Sequence, residues 1–108
     1  MEDRSVTEPG FYHVVLIRFH EPPNEAFLAQ VQAFVARIRD AVPGLLHYHF
    51  GPNDDLERGQ GYTHVNLSVF SSRAAHDDYQ SHPLHHEMRA FMLSRMDFVV
   101  CDYQVAGP

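Results

Sequence analysis

The sequence contains no lysine and no tryptophan, and its 108 residues include a single cysteine, Cys101. One cysteine rules out an internal disulfide framework, so an apolar core must hold the fold together. The eight basic residues face 14 acidic ones, and a net charge of −6 argues against a nucleic-acid partner, which requires a basic patch. No apolar run approaches the ~18 residues that a membrane helix needs. We therefore expect neither a nucleic-acid partner nor a membrane-spanning segment.

The composition is that of a globular protein with one core. Hydrophobic residues make up 44% of the chain and charged residues 20%, and 108 residues leave no room for a second core. Residues 1–10 are polar, lack the features of a signal peptide and end in Pro9-Gly10. We expect a flexible N-terminal leader over residues 1–10, a single domain over residues 11–108, and a cytoplasmic location.

The spacing of apolar residues predicts four strands and two helices. Alternating or continuous apolar runs predict strands over residues 11–19, 45–50, 62–70 and 98–105. Helical spacing follows Asn24 and ends at Pro43-Gly44, and a second helix begins after Ser71 or Ser72 and is broken before Pro83. The order β-α-β-β-α-β, with a broken second helix, predicts an α+β fold of the ferredoxin-like, split βαβ kind.

The first strand is apolar on both of its faces, although helices cover only one face of such a sheet. We therefore expect a second copy of the chain to bury the helix-free face, with the two sheets closing into a barrel-like homodimer. The residues expected to face the partner are Val14, Leu16, Val65, Leu67 and Val69.

Nine histidines are the most unusual feature of the composition. A metal site is one interpretation, since His47 and His49 share a strand face. The HExxH spacing and the paired cysteines typical of zinc sites are absent, and His85-His86-Glu87 has the residue types without the spacing. We expect no metal and no other cofactor.

Acid–base chemistry is the second interpretation, because imidazole titrates near neutral pH and a phenol can donate to a developing oxyanion. The candidates lie on the first and third strands, around the break in the second helix and on the last strand: His13, His64, Tyr79, His82, His85 and Asp102. The third interpretation is that the histidines only fill the interior or lie in solvent, which we expect of His20, His76 and His86.

Several short motifs occur together and in a fixed order. The first strand has the form HxVxxxF from His13 to Phe19, and Pro43-Gly44 follows the first helix. Gly-Tyr-Thr-His, residues 61–64, enters the third strand, and Tyr-xx-His-Pro-x-His, residues 79–85, follows the second helix. Together with Asp102-Tyr103, this pattern resembles the stress-responsive dimeric α/β-barrel (Dabb) domain family over nearly the whole chain.

The resemblance implies the ferredoxin-like fold and the face-to-face dimer. One branch of the family is a plant polyketide (olivetolic acid) cyclase, which closes a linear poly-β-keto thioester by an aldol reaction without a cofactor. By that resemblance His85 is the catalytic base and Tyr79 its supporting phenol. The other pocket residues that the resemblance implies are His13, His64 and Asp102, and His82 beside the helix break is a further supporting candidate. The first helix lacks the pocket tyrosine of that cyclase, which leaves the substrate open.

Some family members also hold magnesium on backbone carbonyls near the end of the first helix. The corresponding residues here are Arg39, Val42 and Leu45. Our leading hypothesis is a cofactor-free cyclase-like lyase: a homodimer that binds an apolar, carbonyl-bearing small molecule. The alternative is a non-catalytic stress-associated dimer. A monooxygenase of the same plan is less favoured, because tryptophan is absent and the Tyr-xx-His-Pro-x-His motif is present.

Overall fold

The computed structural model describes residues 8–106. Its elements, in chain order, are β1 (Gly10–Phe19), α1 (Glu25–Ala41), β2 (Leu45–Pro52), β3 (His64–Phe70), α2 (Arg73–Gln80), α3 (Pro83–Met92), a 3-10 turn (Leu93–Arg95) and β4 (Met96–Val105). The strands form one antiparallel sheet in the order β2-β3-β1-β4. This arrangement confirms the ferredoxin-like prediction, including the break in the second helix.

Local sequence signals explain where the helices begin and end. The Asn24 side chain accepts the Phe27 N–H at 2.8 Å and caps α1, while Ser72 caps α2 by accepting the Ala75 N–H at 3.1 Å. The chain leaves α1 through Gly44, whose φ of +77° favours glycine. Its missing side chain also admits α2, since a Cβ at Gly44 would lie 2.7 Å from the Cβ of Ala75.

The starts of two strands differ from the prediction by two residues each. β3 begins at His64, later than predicted, because Gln60 and Gly61 both adopt positive φ angles and turn the chain before it. β4 begins at Met96, because the 3-10 turn ends at Arg95 and extended pairing with β1 starts at once. Both shifts fall in turns, where hydrophobic periodicity carries little information.

The core lies between one face of the sheet and the helices. Val31 and Ile38 of α1 and Phe70 of β3 are fully buried there. α3 adds Leu84, Met88 and Met92 to the same cluster. Burying this apolar surface is the main stabilising contribution to the fold.

Among the described residues, no helix packs on the opposite face of the sheet, which is only partly covered. Val14, Leu16, Val65 and Leu67 are half-buried within a single chain, in keeping with the predicted partner face. Val69 is different, since it is only 2% exposed in one subunit. The expectation that a partner buries Val69 is therefore wrong.

The N-terminal segment explains the burial of Val69. Its cross-strand neighbours, Tyr12 and His47, both hydrogen-bond to Glu8, at 2.8 Å and 2.6 Å. Residues 8–10 of the predicted leader thus lie next to the sheet, and Gly10 already belongs to β1. Residues 1–7 of that leader lie outside the described residues. Within residues 8–106, no helix has the length and apolar character needed to cross a membrane.

Candidate functional site

A cavity of about 110 Å³ lies between the sheet and the broken helix pair. Polar side chains from β1, β2, β3, α2 and α3 line it together with apolar side chains that include the methionines of α3 and of the edge strand β4. The lining residues are His13, Val15, Ile17, Tyr48, Asn66, Tyr79, Gln80, His85, Met88, Arg89, Met92, Leu93, Met96, Phe98 and Val100. Three of the residues singled out from the sequence, His13, Tyr79 and His85, therefore share one cavity.

His85 occupies the first turn of α3, and its ring packs edge-on against Tyr79 with centroids 4.7 Å apart. Its Nδ1 atom is buried and has no partner of hydrogen-bonding geometry within residues 8–106. Burial lowers the pKa of His85 from 6.5 to about 4, and the Gln80 carbonyl offsets only part of that shift. The imidazole is therefore neutral at pH 7, and in the tautomer protonated on Nε2 its Nδ1 can accept a proton.

Tyr79 forms a buried pair with Tyr48 of β2, their hydroxyl oxygens 2.8 Å apart. The Tyr48 hydroxyl is also placed to donate to Met88 Sδ at 3.4 Å. Burial raises the pKa of both phenols, so both remain protonated and act as hydrogen-bond donors. Tyr48 is not among the candidate residues predicted from the sequence. The available signal was its position between His47 and His49, which places it on the opposite, helix-covered face of β2.

His13 of β1 pairs across the sheet with Asp102 of β4, and its Nδ1 lies 2.6 Å from the Asp102 carboxylate. Asp102 does not line the cavity itself but orients an imidazole that does. Burial lowers the pKa of His13, although the hydrogen bond and charge of Asp102 oppose this change. Asp102, a candidate site residue in the sequence, thus contacts the cavity through His13.

His76 of α2 packs against His13 with ring centroids 4.8 Å apart and is itself buried. The Gln80 amide lies 3.2 Å from His76 Nε2. From the sequence, His76 was expected to have no role in the site. Its helical spacing from Tyr79 and Gln80, three and four residues away, was the signal that all three share a helix face.

The structure does not bring His64 or His82 into this cavity. His64 begins β3, one strand repeat before Asn66, and packs against Phe19 and Phe50. A shift of two residues along a strand is ~6.6 Å, which separates His64 from the lining. His82 caps α3, since its Nδ1 accepts the Leu84 N–H at 3.1 Å. Neither residue therefore lines the cavity in which a supporting role was expected.

The backbone carbonyls of Arg39, Val42 and Leu45, which correspond to the magnesium ligands of some family members, are poorly placed to bind a cation here. The Leu45 N–H already lies 3.4 Å from the Val42 carbonyl oxygen. The Arg39 guanidinium lies at this end of the helix and donates to the Tyr48 carbonyl at 2.7 Å. A positive side chain therefore already complements the negative helix end, and a second cation would be repelled.

Comparison with known proteins identifies the family of this chain. Residues 11–105 match the family described as the Stress responsive A/B Barrel Domain. The stress-response A/B barrel domain-containing protein HS1 of Arabidopsis thaliana is 30% identical over 94 residues, covering 85% of this chain and 86% of HS1.

Solved structures give the same fold. A dimeric ferredoxin-like protein of unknown function from Jannaschia sp. superposes with a TM-score of 0.77 at 25% identity, covering 88% of this chain and 98% of the other. The hydroxynitrile lyase of Passiflora edulis superposes with a TM-score of 0.76 at 21% identity, covering 94% and 98%. With its strand order, its split second helix and its match over residues 11–105, the chain belongs to the stress-responsive A/B barrel (Dabb) domain family.

Proposed function

We propose that this protein is a cofactor-independent lyase that acts on an apolar carbonyl compound bound in the cavity. His85 is the general base and Tyr79 donates a hydrogen bond to the carbonyl oxygen. The observation that carries the proposal is the Nδ1 of His85, which is buried without a hydrogen-bond partner among residues 8–106 and lies beside two phenols that remain protonated. Such a lone pair is costly to bury unless a ligand uses it.

The chemistry follows from these two groups. His85 removes a proton from the carbon next to a carbonyl, and the C–H electrons move to form an enolate. The enolate oxygen accepts a hydrogen bond from the Tyr79 hydroxyl, while the Tyr48 hydroxyl donates its own proton to the Tyr79 oxygen. The enolate carbon then attacks a second carbonyl of the same molecule and forms a carbon–carbon bond. The imidazolium returns its proton to the new alkoxide, so no external acid, base or oxidant is consumed.

The volume of the cavity limits what can enter it. A cavity of ~150 Å³ holds benzene, so about 110 Å³ accommodates only the reacting end of a longer substrate. The rest of the substrate must extend out of the cavity along β4, where Phe98 and Val100 line the cavity yet remain 38% and 43% exposed. These apolar side chains favour a hydrocarbon or polyketide-like chain. Arg89, also at this cavity, suits an anionic substituent.

We also infer a homodimer built through the helix-free face. Val14, Leu16, Val65 and Leu67 form its half-buried centre, and Val99 on the edge strand is 41% exposed. An apolar sheet face of this kind marks an interaction surface. The dimeric state given for the Jannaschia relative supports the same arrangement.

The test uses a panel of β-keto thioesters of increasing chain length. His85→Ala should abolish turnover while leaving ligand binding nearly unchanged, because the base is lost and the apolar walls remain. Tyr79→Phe should lower turnover roughly 10- to 1,000-fold, the scale of one lost oxyanion donor. His86→Ala, an exposed neighbour on the same helix, is the matched control and should retain activity.

Two outcomes would contradict the lyase proposal. One is a wild-type protein that is inert toward every member of the panel. The other is an alanine at His85 that unfolds the domain, which would make His85 a structural residue.

The non-catalytic alternative has one observation in its favour: a pKa of about 4 makes His85 a weak base. Saturable binding of the same thioesters without turnover would favour that alternative.

A further inference from the structure

Three titratable side chains from three different elements converge beside the cavity: His13 of β1, His76 of α2 and Asp102 of β4. One ring nitrogen from each histidine and one carboxylate oxygen lie within 4.8 Å of one another. The lyase proposal does not use His76. Two histidines and one carboxylate are a donor set that binds divalent transition metals. We propose that His13, His76 and Asp102 form a binding site for a divalent transition-metal ion of the zinc or cobalt kind.

The hydrogen bonds of His76 prepare it as a ligand. The Gln80 amide nitrogen is a donor, so at 3.2 Å it meets the lone pair on His76 Nε2. The ring proton then lies on Nδ1, 3.3 Å from the Asp77 carboxylate. Metal-binding histidines usually donate their second ring N–H to such a carboxylate, which fixes the tautomer and strengthens the ligand. Rotation of the Gln80 amide frees Nε2 for the ion.

The packing around His76 holds its ring in place. Phe11 and Phe70 lie against it, with ring centroids at 4.8 Å and 5.4 Å. Asp102 is the adjustable member, since its side chain is 33% exposed and lies on the edge strand. It therefore offers the ion both a negative charge and a path from solvent.

The site must tighten when it binds an ion. Ligand atoms ~2.0–2.2 Å from a zinc ion lie ~3.0–3.6 Å from one another. The donor atoms here are up to 4.8 Å apart, while His13 Nδ1 and Asp102 Oδ1 are 2.6 Å apart. Because the His76 ring is held by its packing, the partly exposed Asp102 side chain is the ligand that must move to adjust these distances. Three protein ligands leave a fourth position for water or for a ligand in the neighbouring cavity.

The metal-free protein should keep its fold, because the three side chains already have hydrogen-bond partners. Treatment with a chelator should therefore leave the melting temperature unchanged, and added Zn²⁺ should raise it. The ion is not required by the lyase chemistry. The ion would instead bind the imidazole of His13 and compete with the hydrogen bond between His13 and Asp102.

The experiment titrates untagged, chelator-treated protein with Zn²⁺ by calorimetry and with Co²⁺ by visible absorption. We expect one ion per subunit and a ligand-field band from bound Co²⁺. His76→Ile, which keeps the apolar packing, should weaken Zn²⁺ binding at least 100-fold, and Asp102→Asn at least tenfold. His76→Gln provides a second variant if isoleucine disturbs the fold, which circular dichroism would report.

His47→Ala is the matched control, because His47 also lies 2.6 Å from a carboxylate, that of Glu8, but on the opposite face of the sheet. It should bind Zn²⁺ as the wild type does. Absence of saturable binding, unchanged affinity in a folded His76 variant, or loss of binding in His47→Ala would each overturn the proposal. None of these readouts depends on turnover, so they are independent of the lyase assay.

Discussion

The hydroxyl pair of Tyr48 and Tyr79 allows a quantitative test of how the cavity wall is built. Tyr48 is 1% exposed and Tyr79 3% exposed, and their oxygens are 2.8 Å apart. Tyr79→Phe removes the phenol partner of the Tyr48 hydroxyl and leaves it the weak sulfur acceptor of Met88 and the Asn66 side chain beside it. An unsatisfied buried hydroxyl costs about 1–3 kcal/mol, so either single change should lower the free energy of unfolding by that amount.

The double variant Tyr48→Phe/Tyr79→Phe separates the hydrogen bond from the other effects. Because removing both partners leaves neither one unsatisfied, it should cost less than the sum of the single changes, with a coupling energy of about 1 kcal/mol. Each kcal/mol corresponds to a shift of ~4–8 °C in the melting temperature of a domain near this size.

Urea denaturation at one fixed protomer concentration is the appropriate assay, since dimerisation makes stability concentration-dependent. Tyr103→Phe is the control, because Tyr103 is 51% exposed and its hydroxyl should contribute less than about 0.5 kcal/mol. Strictly additive single and double effects would mean that the two hydroxyls do not interact. That result would refute the geometry on which the donor role of Tyr79 depends.

Two further predictions concern assembly and pH. Leu67→Asp should convert the homodimer to monomer in light scattering, because it places an unpaired charge in the apolar face. Leu56→Asp, at a position 65% exposed, should not change the mass, and a monomeric wild type at micromolar concentration would contradict the dimer. Because the pKa of His85 falls from 6.5 to about 4 on folding, the unfolded chain binds more protons between these values. The stability of the folded protein should therefore fall as the pH decreases from about 6.5 to about 4, and it should fall less steeply in His85→Ala. Turnover should rise with pH through about 4 and then stay level. Identical stability profiles in the two proteins would contradict the lowered pKa of His85.

The helices and strands could be predicted because their signals are local. Asn24, Ser72 and Pro83 mark helix starts by their own chemistry, and apolar periodicity assigns the rest. The depth to which strand residues are buried depends on distant segments. Val69 was assigned to the partner face because its cross-strand neighbours, Tyr12 and His47, and the Glu8 that both of them contact are far from it in sequence.

The site was only partly predictable for the same reason. Tyr79 and His85 stand in one short motif, and their proximity follows from a single helix break. Tyr48 reaches the cavity through the register of β2, and His76 packs against His13 through the placement of α2 on the sheet, and no local pattern encodes either arrangement. His64 shares a strand face with Asn66, but a face extends over several residues and the cavity opens at only part of it.

Proton removal by His85 can be measured without knowing the natural substrate. The assay follows deuterium incorporation at the carbon between the carbonyls of a short β-keto thioester in D₂O, by NMR, with wild type, His85→Ala and His86→Ala. We predict that wild type and His86→Ala accelerate the exchange over buffer at pH 7 and that His85→Ala does not. Equal acceleration by wild type and His85→Ala, or none by any of the three proteins, would contradict the assignment of His85 as the base.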